Sequence, residues 1–102
     1  MKIRWTDPAQ TDLFGILDYI ERDDPAAAER VVERRLVDAV ASVARQPRRG
    51  RPGRLEGTRE LVIPPLPYVV IYRIVEPPLR PGGEIAVMRI LHGARRWPAK
   101  DG

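Results

Sequence analysis

The chain has no cysteine, a single histidine and only two lysines in 102 residues, and each scarcity removes a class of explanation. Without cysteine there is no disulfide framework, and one histidine cannot build a structural zinc site alone, so neither metal nor cofactor is expected. No apolar run is long enough to cross a bilayer. The opening Met1-Lys2-Ile3-Arg4-Trp5 also lacks the apolar core and small-residue cleavage site of a secretion signal, which points to a cytoplasmic protein with no membrane partner. At 43% hydrophobic content the chain can build one compact core and is too short for two, so residues 1–102 read as a single domain.

What the chain does have is arginine, unevenly placed. The net charge is +4, but residues 1–44 carry 6 basic and 9 acidic side chains (net −3), and residues 45–102 carry 12 and 5 (net +7). Only Lys2 and Lys100 interrupt the arginines. A GC-rich genome would favour arginine over lysine, but it explains the asymmetry between halves less well. Arginine forks onto carboxylates and phosphates and stacks on bases, so the second half is the candidate contact surface for a polyanion or an acidic protein segment.

The run Tyr68-Val69-Val70-Ile71-Tyr72-Arg73-Ile74-Val75 is β-branched and aromatic with one charge, and reads as a central strand buried on both faces. Pro64, Pro65 and Pro67 precede it, and Glu76-Pro77-Pro78 ends it. Lys2 to Trp5 alternates like a short edge strand. Asp7, Pro8 and Gln10 then form a helix start with Asp7 as cap, and Leu13, Ile16, Leu17 and Ile20 give the stripe of a helix over 8–22. Asp24 and Pro25 repeat the signal, and Ala28, Val32, Leu36, Ala39, Val40 and Val43 carry a second helix to Arg45, where Gln46-Pro47 stops it. So short a connection makes the helices an antiparallel hairpin.

Arg45, Arg48, Arg49, Arg51 and Arg54, interleaved with Pro47, Gly50, Pro52 and Gly53, read as an irregular cationic loop whose charges no neighbouring acid balances. Strands over 57–63, 68–75 and 84–92 follow as an antiparallel meander, so the fold expected is α+β: an N-terminal helical hairpin packed on one face of a small antiparallel sheet. Pairing Val75 with Ile85 would put Arg73 and Arg89 beside Val69 and Ile71, and Tyr68, Val70, Tyr72, Ile74, Ala86, Met88 and Ile90 under the helices. Either arginine could instead be an ion-pair partner of Glu60 or Glu84. In that register His92 lies on the helix side, a structural position more than a catalytic one.

The order of these elements, with Gly57-Thr58-Arg59-Glu60-Leu61, the Tyr68–Arg73 strand and Ile90-Leu91-His92-Gly93-Ala94-Arg95, resembles the RelE/ParE superfamily of toxins from bacterial type II toxin-antitoxin systems. The His-Gly-Ala-Arg run at 92–95 is more ParE-like than RelE-like. The resemblance implies a cognate antitoxin that wraps and blocks a growth-inhibiting toxin. It also implies one of two activities. ParE-like members inhibit DNA gyrase without known catalytic chemistry, which here would assign target contact to Arg51, Arg54, Arg95, Arg96 and Trp97. RelE-like members cleave mRNA on the ribosome, which would assign phosphate to Arg73, Arg89 and Arg95 and proton transfer to His92 or Tyr72. Against the second stands Val69, where RelE-like members commonly carry an arginine. An inactive relative that only binds an antitoxin is a third reading. The antitoxin's seat would be an apolar, arginine-rimmed groove between hairpin and sheet, a reading that exposure of Phe14 or Tyr19 would support.

Overall fold

The computed structural model describes residues 1–93 of the protein. The elements run β1 (Lys2–Trp5), α1 (Asp7–Asp23), α2 (Pro25–Ala28), a π-helical segment (Glu29–Val37), α3 (Asp38–Arg45), β2 (Arg51–Pro52), β3 (Arg59–Val62), β4 (Tyr68–Val75) and β5 (Glu84–His92). All five strands form one sheet in the order β1-β5-β4-β3-β2. β2 to β5 pair antiparallel, and β1 lies parallel beside β5. The α+β class and the helical layer on one face follow the sequence; the parallel edge strand makes the sheet mixed.

Two corrections concern local chemistry. The cap of α1 is Thr6, not Asp7: its hydroxyl accepts the Ala9 N–H (3.3 Å), and Asp7 is already in the first turn. Thr6 wins because its hydroxyl has a second task that a carboxylate cannot perform. It donates to the Val87 carbonyl (2.8 Å), with the Met88 carbonyl at 3.1 Å, and so fastens the helix start to β5. Gln10 reaches back as expected, but to the Trp5 carbonyl (3.0 Å). The second correction is that Arg45 to Arg54 is not wholly irregular, since Arg51 and Pro52 pair with Glu60 and Arg59 as β2. A proline is tolerated there because β2 is the sheet edge.

Asp24 caps α2 as read from the sequence, accepting the Ala27 N–H at 3.1 Å. From there to Arg45 the rod is continuous, with right-handed helical backbone at both junctions of the π-helical segment. Ala28, Val32, Leu36 and Val40 are all buried, a spacing of four. Four residues overshoot a turn of about 3.6, so the stripe would drift around a uniform α-helix. The wider π winding in the middle takes up that drift and keeps the stripe on the sheet. Against it pack Leu61, Ile63, Tyr68, Val70, Tyr72, Ile85, Val87 and Ile90.

That list also corrects the register. Val75 pairs with Glu84, not Ile85, so Ile85 and Val87 face the helices in place of Ala86 and Met88. A bulge at Met88, between the pairs Tyr72/Val87 and Ile71/Arg89, then restores the alternation, which is why Ile90 and His92 stay where expected. Hydrophobic alternation cannot report an inserted residue, because Ile85, Ala86, Val87 and Met88 are all apolar.

Replacing Thr6 by alanine removes both the cap and the tie to β5. We expect a loss of about 1–2 kcal/mol in urea unfolding, largely recovered by Thr6→Ser. An unchanged unfolding midpoint for Thr6→Ala would contradict this role.

Candidate functional site

Two surfaces carry chemistry. The first is the basic loop, and it is built on two buried polar groups of the sheet. Glu60, only 2% exposed, accepts the backbone N–H of Arg54 (2.8 Å) on Oε2 and the Arg51 guanidinium (3.1 Å) on Oε1, with Arg54 Nε 3.9 Å away. Tyr72, fully buried in β4, donates its hydroxyl to the Pro47 carbonyl (2.7 Å) and accepts the Gly50 N–H (2.9 Å). Arg59 ties the same turn, donating to the Gly50 carbonyl at 2.6 Å. Gly50 must be glycine here, since a Cβ would lie 2.7 Å from the Tyr72 hydroxyl and 2.9 Å from the Glu60 carbonyl oxygen.

Most arginines of the loop have partners the sequence did not suggest, although the carboxylates are fewer than the guanidinium groups. Arg48 pairs with Glu76 (3.3 Å), Arg49 donates to the Ser42 hydroxyl (2.7 Å), and Arg51 and Arg54 share Glu60. Yet the Arg51 and Arg54 side chains stay 57% and 53% exposed. Arg51 is held through one Nη of its guanidinium and Arg54 through its backbone N–H, while much of both side chains meets solvent, so part of the ordering that a contact would require is done on folding. Arg95, Arg96 and Trp97 lie outside the described residues.

Of the residues proposed for RNA cleavage, the described ones (Tyr72, Arg73, Arg89 and His92) do not converge on one point. Tyr72 has its hydroxyl sealed between Pro47 and Gly50. His92 sits opposite Tyr68 on the helix side, ring centroids 5.9 Å apart and edge to face. Arg73 opposite Ala86 and Arg89 opposite Ile71 do share the other side of the strands, but by way of the bulge. Arg89 is taken by Asp12 of α1, its Nε and Nη2 donating at 2.7 and 3.0 Å to the two carboxylate oxygens. That bond raises the Arg89 pKa further above its ordinary value. Arg73 alone of this set is open, beside Gly57 and with no hydrogen-bond or ion-pair partner among the described residues. Glu60 and Glu84, weighed as partners for Arg73 and Arg89, hold Arg51 and Arg54, and Arg4 and Arg80, instead.

The second surface is a groove of about 750 Å³ between α1 and the far ends of β4 and β5, lined by Ile16, Tyr19, Tyr68, Ile90 and His92 among others. β1 ends at Trp5, so this part of β5 has an open edge. Asp12 fills it in part by accepting the Ile90 N–H at 2.9 Å. Phe14 and Tyr19 on α1 are 61% and 69% exposed, which supports the groove reading, and Tyr19 lines the groove itself. Arginine rims the groove, but Arg22 and Arg89 are already paired with Asp18 and Asp12. Sequence reasoning missed Asp12 and Glu60 as organisers. The available signal for Glu60 was an acid set directly before the apolar run Leu61-Val62-Ile63 and facing an arginine-rich loop.

A hairpin of helices over a five-stranded sheet is the fold this chain shares with solved chains of bacterial toxin-antitoxin systems. The family pattern of the ParE toxin of the type II system parDE matches residues 3–97. Y4kP of Sinorhizobium fredii is 42% identical over 97 residues, 95% of this chain and 93% of that one. Toxin RelE2 of Caulobacter vibrioides is 39% identical over 94 residues, covering 92% and 97%. Among solved structures, a chain of the chromosomal ParDE system of P. aeruginosa superposes with a TM-score of 0.75 at 26% identity, covering 90% of this chain and 95% of that one. A chain of the RelBE2 toxin-antitoxin complex of Mycobacterium tuberculosis matches in fold, with a TM-score of 0.52 at 23% identity over 89% and 95%. The protein belongs to the ParE toxin family.

Tyr72→Phe leaves the Gly50 N–H and the Pro47 carbonyl without their partner. We expect a stability loss of about 1–3 kcal/mol and faster amide exchange at Gly50. Exchange at Gly50 unchanged from wild type would mean that the loop is held by other means.

Proposed function

We propose that this ParE-family toxin arrests growth in the cytoplasm by binding DNA gyrase, and that a cognate antitoxin neutralises it by occupying the groove along α1. The observation that carries the first half is the Glu60 anchor: a buried carboxylate fixes the base of the loop that presents Arg51 and Arg54 to solvent. Arg95, Arg96 and Trp97 extend the contact by sequence. The ribonuclease alternative finds no support in the arrangement of Tyr72, His92 and Arg73, since the tyrosine hydroxyl is sealed and the other two lie on opposite sides of β4 and β5.

The test is a supercoiling assay with purified gyrase. The wild-type toxin should inhibit it, and Arg54→Ala should need about tenfold more protein for the same inhibition. Arg54 is the informative position because its backbone N–H, not its side chain, makes the short bond to Glu60. Full supercoiling at a toxin excess that stops growth, with protein synthesis failing before DNA synthesis in pulse-labelled cells, would sink the gyrase reading.

The antitoxin half rests on the company the structural relatives keep, in ParDE and RelBE2 systems, and on two exposed aromatics on a helix that flanks an open groove. A partner helix or strand would bury them. Tyr19→Asp should weaken antitoxin binding at least about tenfold by calorimetry. Affinity equal to wild type would move the antitoxin's seat elsewhere.

A further inference from the structure

β4 and β5 run the length of the sheet, so its two ends are well apart. The groove closes around Tyr68 and His92 at one end, and the connection of residues 76–83 turns at the other. At this second end lies an open depression of about 490 Å³ lined by Met1, Gln46, Pro47, Arg48, Arg49, Ile74 and Glu76. Met1 joins it to the returning arm of the hairpin, since a Cβ on Gly83 would lie 2.9 Å from the end of its side chain. Beyond the depression, at the hairpin tip, Leu79 is 78% exposed, the most exposed large hydrophobic side chain among the described residues.

Nothing about the turn requires a leucine. The turn itself is made by Gly82 and Gly83, both at φ +78°, and by the Gly83 N–H bonded to the Arg80 carbonyl at 2.8 Å. Pro77, Pro78 and Pro81 stiffen the flanks of Leu79, so an apolar knob is presented with little conformational freedom left to lose on contact. The surroundings are cationic in surplus. Arg48 holds Glu76 (3.3 Å), and Arg4 and Arg80 share Glu84 (3.2 and 3.6 Å). Arg49 is bonded to the Ser42 hydroxyl and has no carboxylate among the described residues. Both acids at this end are thus already matched.

We infer that the hairpin end is the part of the molecule that seats on its target, with Leu79 entering an apolar pocket of a protein whose surrounding surface is acidic. That surface's carboxylates meet Arg48, Arg49 and Arg80. The inference rests on the reading of this chain as a growth-inhibiting toxin and adds to it the surface that meets the target. It is continuous with the proposed basic contact, because residues 46–49, one wall of the depression, lead directly into Arg51 and Arg54. A protein pocket with an acidic rim uses both the arginines and the apolar knob, whereas one leucine buries too little apolar surface to anchor the chain on a membrane.

The experiment compares wild type, Leu79→Asp, Leu79→Ser and Leu79→Met as full-length chains induced in a bacterial host, scored by surviving colonies. Thermal unfolding midpoints of the purified proteins serve as the fold control, which the exposure of Leu79 should leave unmoved. Leu79→Asp and Leu79→Ser should raise survival at least about tenfold, and Leu79→Met should kill like the wild type. Lethality undiminished in Leu79→Asp overturns the inference, as does lethality lost equally in Leu79→Met. The same proteins in the supercoiling assay separate this result from the gyrase reading. If wild type leaves gyrase untouched while Leu79→Asp still relieves killing, the target is a different protein and the hairpin surface stands.

Discussion

The structure depends on where a sheet can put polar groups that it has buried. Tyr72 at the middle of β4 and Glu60 on β3 are both removed from water, and neither could stay there unpartnered without costing a few kcal/mol. Their partners lie beyond strands β3 to β5. They are backbone groups and guanidinium groups of residues 47–54, which the chain must bring over the strands after the helical hairpin ends. The short strand β2 forms as part of that arrival, and Gly50 is what allows the approach to be close enough. A loop that would otherwise be a solvated run of arginines becomes a rigid part of the domain.

This changes what its arginines can do. A free arginine on a flexible loop loses side-chain entropy on every contact, whereas one whose guanidinium or backbone is already tied to a buried carboxylate has given up part of that freedom on folding. Arg51 and Arg54 are of the second kind; Arg73, exposed and unpartnered among the described residues, is of the first. The distinction orders the basic half of the protein into fixed and adaptable contacts, which its composition alone does not.

Much of this was legible beforehand for identifiable reasons. Asp24-Pro25 announces a helix because only a side-chain acceptor and a missing N–H suit that position. The Ala28-Val32-Leu36-Val40 stripe and the Tyr68–Tyr72 part of the central run announce burial because nothing else explains so many apolar side chains together, while the run's end at Arg73, Ile74 and Val75 is more open than its composition suggests. What escaped was set by tertiary partners. The bulge at Met88 falls in a wholly apolar stretch, so no face reverses in the pattern to mark it. Thr6 displaces Asp7 because of carbonyls more than eighty positions away. The pairing of the basic loop was hidden for the same reason, since Glu60 becomes a neighbour of Arg51 only once β2 lies on β3. The groove was the more predictable of the two surfaces, being the ordinary gap left when an edge strand stops short of its neighbour's end.

The parallel pairing of β1 with β5 has a consequence in time. The first strand finds its place only beside the last, and the groove along α1 is walled by the end of that same last strand. Contacts of such sequence separation form late, after the loop-closure entropy of nearly the whole chain has been overcome. A chain still emerging from the ribosome therefore has neither the completed hairpin end nor the finished groove. On the functions proposed for them, the surface that acts and the surface that is restrained are completed together, when β5 is released.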